Sequence, residues 1–144
     1  GFGSGLCPWA PGTVGSVAAI PLILILGWLP VVYYLIAVAL AIGIGVWVCG
    51  QTARAVGVHD HGAIVWDEVT GMLIAMIALP INSVTIAVAF VLFRLFDVAK
   101  PWPIGWLDRR LGGGWGIMLD DVLAGIAALG CGHALVWWLP AGLI

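Results

Sequence analysis

Uncharged apolar residues run through this chain in four long stretches, with few polar positions between them. The first, Val14–Leu29, carries Pro21 inside it, and the second, Val31–Gly50, is 20 residues long. Twenty apolar residues suffice to cross a hydrocarbon core of about 30 Å. Pro30 stands between the two and lacks an N–H, so a tight helical hairpin is the simplest link. The third stretch, Val69–Phe93, is interrupted by "LPINS" at Leu79–Ser83. Proline followed by asparagine and serine is turn chemistry. It predicts two helices, 63–79 and 82–98, each about 25 Å long at 1.5 Å per residue. The fourth stretch, Val122–Ile144, holds His133 but no formal charge.

The turn at Pro80 decides the topology. Were 69–93 one straight span, the polar segments 51–68 and 94–121 would lie on opposite faces. With the turn they share a face, which the opening segment "GFGSGLCPWAPGTVGS" joins. Arg94, Lys100, Arg109 and Arg110 are four of the five basic residues and lie in the last polar segment. By the positive-inside tendency that face is cytoplasmic. The expected architecture is all-α: a single domain over residues 1–144, forming a membrane-embedded bundle of about five to six helices with its motif loops gathered on one cytoplasmic face.

Composition sharpens this. Hydrophobic residues make up 63% of the chain and charged residues 8%, against about 25% charged in soluble domains. All twelve charged residues fall between Arg54 and Asp121. A net charge of −2 without a basic tract excludes nucleic acid as a partner. Cys7, Cys49 and Cys131 form no CxxC pair and read as buried small apolar residues. Four residues separate Cys49 from Arg54, not the five of a cysteine-phosphatase loop. The first apolar run lacks a basic region ahead of it, so no cleavable signal peptide is expected. The nine tryptophans suit interfacial anchoring. The sequence leaves the oligomeric state open.

The acidic residues carry the chemistry. They occur in "WDEVTG", "FRLFDVAKPWPI" and "GIMLDDVLAG", so that Asp67–Glu68 is expected to begin one helix, Asp97 to end another, and Asp120–Asp121 to begin the last. Any one pair can be an ordinary helix-capping or dipole residue, but three such motifs flanking apolar spans suggest convergence on a ligand. Glu68 looks onto Gly71 and Asp121 onto Gly125 along a helix face, leaving room for a hydrated ion. Magnesium fits, because it takes oxygen ligands, usually one or two carboxylates completed by water and phosphate. Lys100, one turn from Asp97, reads either as a solvated helix end or as a phosphate partner. Arg94 and Asp97, at i, i+3, can simply pair. "HDHG" at His59–Gly62 is the only candidate zinc motif; His59, Asp60 and His61 read as loop hydrogen-bonders or outer support for the site. In the opening segment neither a dinucleotide fingerprint nor a Walker pattern is complete. "PGTVGS" by itself is a capped helix entrance, with phosphate binding by its N–H groups as the alternative.

Together, "GFGSGLCPWAPGTVGS", "GVHDHGAIVWDEVTG", "FRLFDVAKPWPIGWLDRR" and "GGGWGIMLDDVLAG" closely resemble the bacterial phosphatidylglycerophosphatase A family, in the same order from Gly1 to about Gly125. The resemblance implies a magnesium-dependent enzyme of the bacterial inner membrane. It would remove the terminal phosphate of phosphatidylglycerophosphate, through a helical fold in which one helix is surrounded by others. Carried over, the acidic positions are Asp67, Glu68, Asp97, Asp120 and Asp121, with Lys100 beside them; Cys7 stands where a serine is expected. The roles expected are metal binding by Glu68, Asp97 and Asp121, proton transfer by Asp67 or Asp120, and phosphate binding by Lys100, Arg94, Gly12, Thr13 and Ser16. Attack by water and attack by an aspartate both stay open. The aspartate signature of HAD-type phosphatases and the Arg/His set of PAP2-type lipid phosphatases are absent. The non-enzyme alternative is an ion-coupled transporter or channel, which would place its acids midway along the spans.

Overall fold

The computed structural model describes residues 11–56, 66–110 and 113–143. They form six α-helices, α1 (Pro11–Leu26), α2 (Val31–Val56), α3 (Trp66–Ala75), α4 (Ser83–Ala99), α5 (Ile104–Arg110) and α6 (Gly113–Trp138), closed by a short 3-10 turn at Ala141–Leu143. No strand occurs among the described residues. Pro21 sits inside α1 without ending it, and Pro30 falls in the link between α1 and α2 as its chemistry requires.

Helix α3, 10 residues long, is the middle of the bundle. Eight of the ten residues of α3 are buried, and it packs against α1, α2, α4 and α6. The resemblance to a fold with one surrounded helix is therefore met. Direction follows from specific contacts. The Tyr34 hydroxyl donates to the Leu73 carbonyl at 2.7 Å and the Trp66 indole N–H to the Ala41 carbonyl at 2.9 Å, so α2 runs antiparallel to α3. Leu73 lies in the last turn of α3, where carbonyls lack intrahelical partners; Tyr34 supplies one. His133 bonds the Ile77 carbonyl at 2.9 Å while Gly125 meets Gly71, so α6 runs parallel to α3. Gly27 abuts Ile81, which places the end of α1 beside the turn after α3 and the start of α1 at the opposite, acidic end. Asn82 caps α4 by accepting from the Thr85 N–H at 2.9 Å, and α4 returns toward Trp66.

Three expectations are corrected. Helix α6 begins at Gly113, nine residues before Val122, so Asp120 and Asp121 lie in its third turn rather than at its start. The segment has glycines at 113, 114 and 116 and an acid pair, which locally read as loop and cap. Packing of Met118 against Cys49 and beside Gly45 makes it helix. Second, Gly71 and Gly125 leave no room for an ion. A Cβ at Gly71 would enter the Phe93 ring, and one at Gly125 would lie 2.6 Å from the Gly71 carbonyl oxygen. Their role is close approach of α3, α4 and α6. Third, Cys49 is buried as expected, but Cys131 is exposed on the outer face of α6; Cys7 lies outside the described residues.

The exterior is apolar. Ile25, Val32, Leu40, Trp47, Val91 and Leu95 all face outward. The exposed tryptophans gather at two levels: Trp28, Trp137 and Trp138 at the end remote from the acids, and Trp47, Trp102, Trp106 and Trp115 at the acidic end. Along α6, Trp115 and Trp137 are about 33 Å apart, close to a bilayer core of about 30 Å. Val31–Gln51 and Met118–Trp138 are each long and apolar enough to cross a membrane.

Candidate active site

Three helices deliver the acids to one place. The antiparallel pairing of α3 with α4 brings the start of α3, with Asp67 and Glu68, beside the end of α4, with Asp97. The parallel α6 carries Asp120 and Asp121 alongside. They line a cavity of about 250 Å³ with Val98 and Lys100. All five predicted carboxylates and the predicted lysine are thus together. Val98 was not foreseen, and an exposed valine gives no sequence signal of its own.

The two basic residues are committed locally. Arg94 Nη1 donates to Asp97 Oδ2 at 2.6 Å, the i, i+3 pair read from the sequence. It backs Asp97 from behind and is not part of the cavity wall. Lys100 Nζ donates to Asp120 Oδ2 at 2.5 Å and lies 3.9 Å from Asp97 Oδ1. Its backbone enables this. Lys100 caps α4 in the left-handed region, φ 44 and ψ 60, with its N–H bonding the Phe96 carbonyl at 2.9 Å. A non-glycine residue pays for that conformation with about 1–3 kcal/mol.

Five carboxylates face two basic side chains, so negative charge is in excess. Asp67, Asp120 and Asp121 are 3%, 7% and 3% exposed. Asp67 Oδ1 accepts from the Glu68 N–H, and Asp120 Oδ1 from the Asp121 N–H, both at 3.0 Å. Burial, reinforced by the adjacent Glu68, pushes the Asp67 carboxyl well above the ordinary carboxylate range. Among the described residues, Glu68 Oε2 and Asp121 Oδ1 are buried without a hydrogen-bond partner. Such groups are costly unless something is meant to meet them. Carboxylate oxygens of Asp67, Glu68 and Asp121 lie within 4.8 Å of one another, and so do those of Asp97, Asp120 and Asp121. Asp121 belongs to both sets.

The remaining predicted residues divide. Gly12 and Thr13 lie in the first turn of α1, where N–H groups have no acceptor within the helix, and their side chains are outside the described residues. Ser16 is in the second turn and fully buried. Its N–H falls within the helical ladder of α1. His59, Asp60 and His61 lie outside the described residues.

The profile of the family described as Phosphatidylglycerophosphatase A matches residues 1–136. The chain belongs to this family. A Phosphatidylglycerophosphatase A of Escherichia coli (strain K12) is 50% identical over 145 residues, covering 100% of this chain and 84% of that protein. One of Haemophilus influenzae is 47% identical over 141 residues, 96% of this chain and 86% of the relative. A Bacteroides thetaiotaomicron protein provisionally named phosphatidylinositol-3-phosphatase is 37% identical over 134 residues, 88% and 83% respectively. No solved structure matches. Family membership makes the chain an enzyme, a phosphatase, and does not favour the transporter alternative.

Proposed function

We propose that this phosphatase hydrolyses the terminal phosphate monoester of phosphatidylglycerophosphate, giving phosphatidylglycerol and inorganic phosphate, with magnesium as cofactor. The observation that carries the reading is the cavity in which five carboxylates from three helices meet Lys100, with two buried acid oxygens left unpartnered. Both phospholipid names among the relatives denote a phosphate monoester on a lipid, as such a site requires.

The donor set fits a hard divalent cation: all oxygen, in excess negative charge, with unpartnered atoms on Glu68 and Asp121. Glu68 and Asp121, with Asp67 beside them, would hold it. Asp97, expected as a ligand, is better read as the anchor of Arg94 and Lys100, given its contacts of 2.6 and 3.9 Å. Bound magnesium would neutralise phosphate oxygens and acidify a water.

The protein's own groups do the rest. A phosphate monoester repels nucleophiles by its own charge, so binding must neutralise that charge and align the attack. Lys100 exchanges Asp120 for a phosphate oxygen when substrate enters, and the N–H groups of Gly12 and Thr13 take further oxygens at the positive end of α1. Asp120, released from Lys100, accepts the proton of the attacking water as the phosphorus–oxygen bond to glycerol breaks, and the leaving glycerol oxygen takes a proton from solvent to become the free hydroxyl of the product. The two apolar spans and two tryptophan levels support a multi-pass arrangement in the bacterial inner membrane, with the acidic end, rich in arginine and lysine, on the cytoplasmic side.

The test is phosphate release from phosphatidylglycerophosphate by the purified protein, with magnesium and with chelator. Magnesium-dependent release that Asp97→Asn and Asp121→Asn both abolish, in folded protein, supports the reading. No release from folded wild-type protein on this lipid or on phosphatidic acid refutes it.

A further inference from the structure

The outward face of α4 carries a continuous apolar stripe, Val84, Ala87, Val91, Leu95 and Val98, at helical spacings of three and four. Val91, Leu95 and Val98 are 62%, 58% and 71% exposed. The stripe does not stop short of the site, because Val98 is itself part of the acidic cavity wall.

Two apolar grooves flank the stripe. One, of about 540 Å³, lies between α1 and α4, where Val17 and Leu24 face Ile86 and Phe90. The other, of about 300 Å³, has Val88 and Leu92 of α4 against Leu135 of α6. Ala87 and Val91 line both, so α4 forms a low saddle between them. The first groove turns polar only at Asn82 and Ser83, its end remote from the acids. Val91 is six residues from Asp97 and Ser83 fourteen, about 9 and 21 Å along the helix. One leaflet of hydrocarbon is about 15 Å deep, half of a 30 Å core. Both grooves thus begin within the depth of acyl chains hanging from a headgroup phosphate at the acidic end, and the first runs on past that leaflet to Ser83.

We infer that the lipid substrate straddles α4, with one acyl chain in each groove and its phosphate delivered past Val98 to Lys100. This rests on the phospholipid-phosphatase reading and adds where the diacyl part binds. Binding the tails outside the bundle lets the enzyme work without drawing the lipid out of the bilayer, since only the headgroup enters the cavity. Apolar contact along both chains also gives affinity that a headgroup alone lacks, roughly in proportion to the methylene groups covered.

The experiment uses full-length protein in nanodiscs containing phosphatidic acid that bears a photoreactive diazirine midway along one acyl chain, with labelled positions mapped by mass spectrometry. Labelling should concentrate on residues 83–92 of α4 and on the facing Val17–Leu24 and Leu135, over the exposed α2 positions Leu40 and Ile44. In parallel, Ala87→Trp, which fills the saddle, should raise KM for dioleoyl phosphatidylglycerophosphate by about tenfold and change the dibutanoyl lipid less than about twofold, the loss of some two methylene contacts. Leu40→Trp should alter neither. Even labelling of α2 and α4, or an Ala87→Trp effect equal on both lipids, overturns the inference, and so does labelling displaced by a second copy or another protein crosslinked to α4. A wild type that labels on α4 but releases no phosphate refutes the phosphatase reading alone.

Discussion

Asp121→Asn should stabilise the protein without cation and destroy its response to cation. Asp121 is 3% exposed, and its unpartnered Oδ1 belongs to a set whose oxygens lie within 4.8 Å of one another. Two unit charges at that separation repel by ~3 kcal/mol at an effective dielectric constant of about 20. Asp67 and Glu68 are the other members of that set. Asparagine keeps the shape and removes the charge. In chelator the variant should therefore melt above wild type, by about 5–10 °C for a gain of 2–3 kcal/mol in a domain of this size. Magnesium should raise the wild-type melting temperature, because a ligand that binds only the folded state stabilises it by mass action. It should leave the variant unmoved and inactive. Thermal unfolding in detergent, with chelator and with magnesium, reads both effects. A variant that melts below wild type in chelator, or that keeps the magnesium shift, would refute the assignment of Asp121 as an uncompensated cation ligand.

Lys100→Met keeps the aliphatic stem but removes the ammonium that meets Asp120 at 2.5 Å; phosphate release should fall by about 10²-fold or more. Its stability should drop by about 1–2 kcal/mol, since the lysine side chain is partly exposed, and adding Asp120→Asn should restore stability but not activity in a double-mutant cycle. Tyr34→Phe strips the Leu73 carbonyl of its 2.7 Å donor, costing about 1–3 kcal/mol in chemical denaturation while kcat per folded molecule stays unchanged. Gly125→Ala sets a methyl 2.6 Å from the Gly71 carbonyl oxygen, where only backbone can give way. Separation of α3 from α6 should cost about 1–3 kcal/mol, partly offset by about 1 kcal/mol of helix propensity, and should lower magnesium affinity in titration calorimetry because Glu68 and Asp121 move apart.

The gathering of acids was legible because charge is expensive in an apolar chain and because "LPINS" at 79–83 forces the third stretch to double back. Those two facts bring Asp67 and Asp97 to one end. The start of α6 was not legible, because glycines at 113, 114 and 116 lower local helix propensity, and tertiary contacts such as that of Met118 with Cys49 of α2 offset this. Gly71 and Gly125 misled for a related reason: a missing side chain reads equally as room for a ligand or room for a neighbouring helix, and Phe93 and the facing backbones decide for the second.

Lys100 shows where sequence reasoning stops. The Arg94–Asp97 pair is visible as i, i+3 spacing, but the partner of Lys100 lies twenty residues on. To reach it the chain must turn left-handed at a lysine, a conformation that glycine or asparagine would take more readily. The next residue is Pro101, which disfavours the helical alternative and blocks continuation of α4. Local rules thus end the helix at Lys100 yet name the wrong residue for the cap. A glycine there would relax the backbone and remove the ammonium from Asp120. The strain at this position is consistent with a side chain kept for its charge, held between two acids at the mouth of the cavity until a phosphate competes for it.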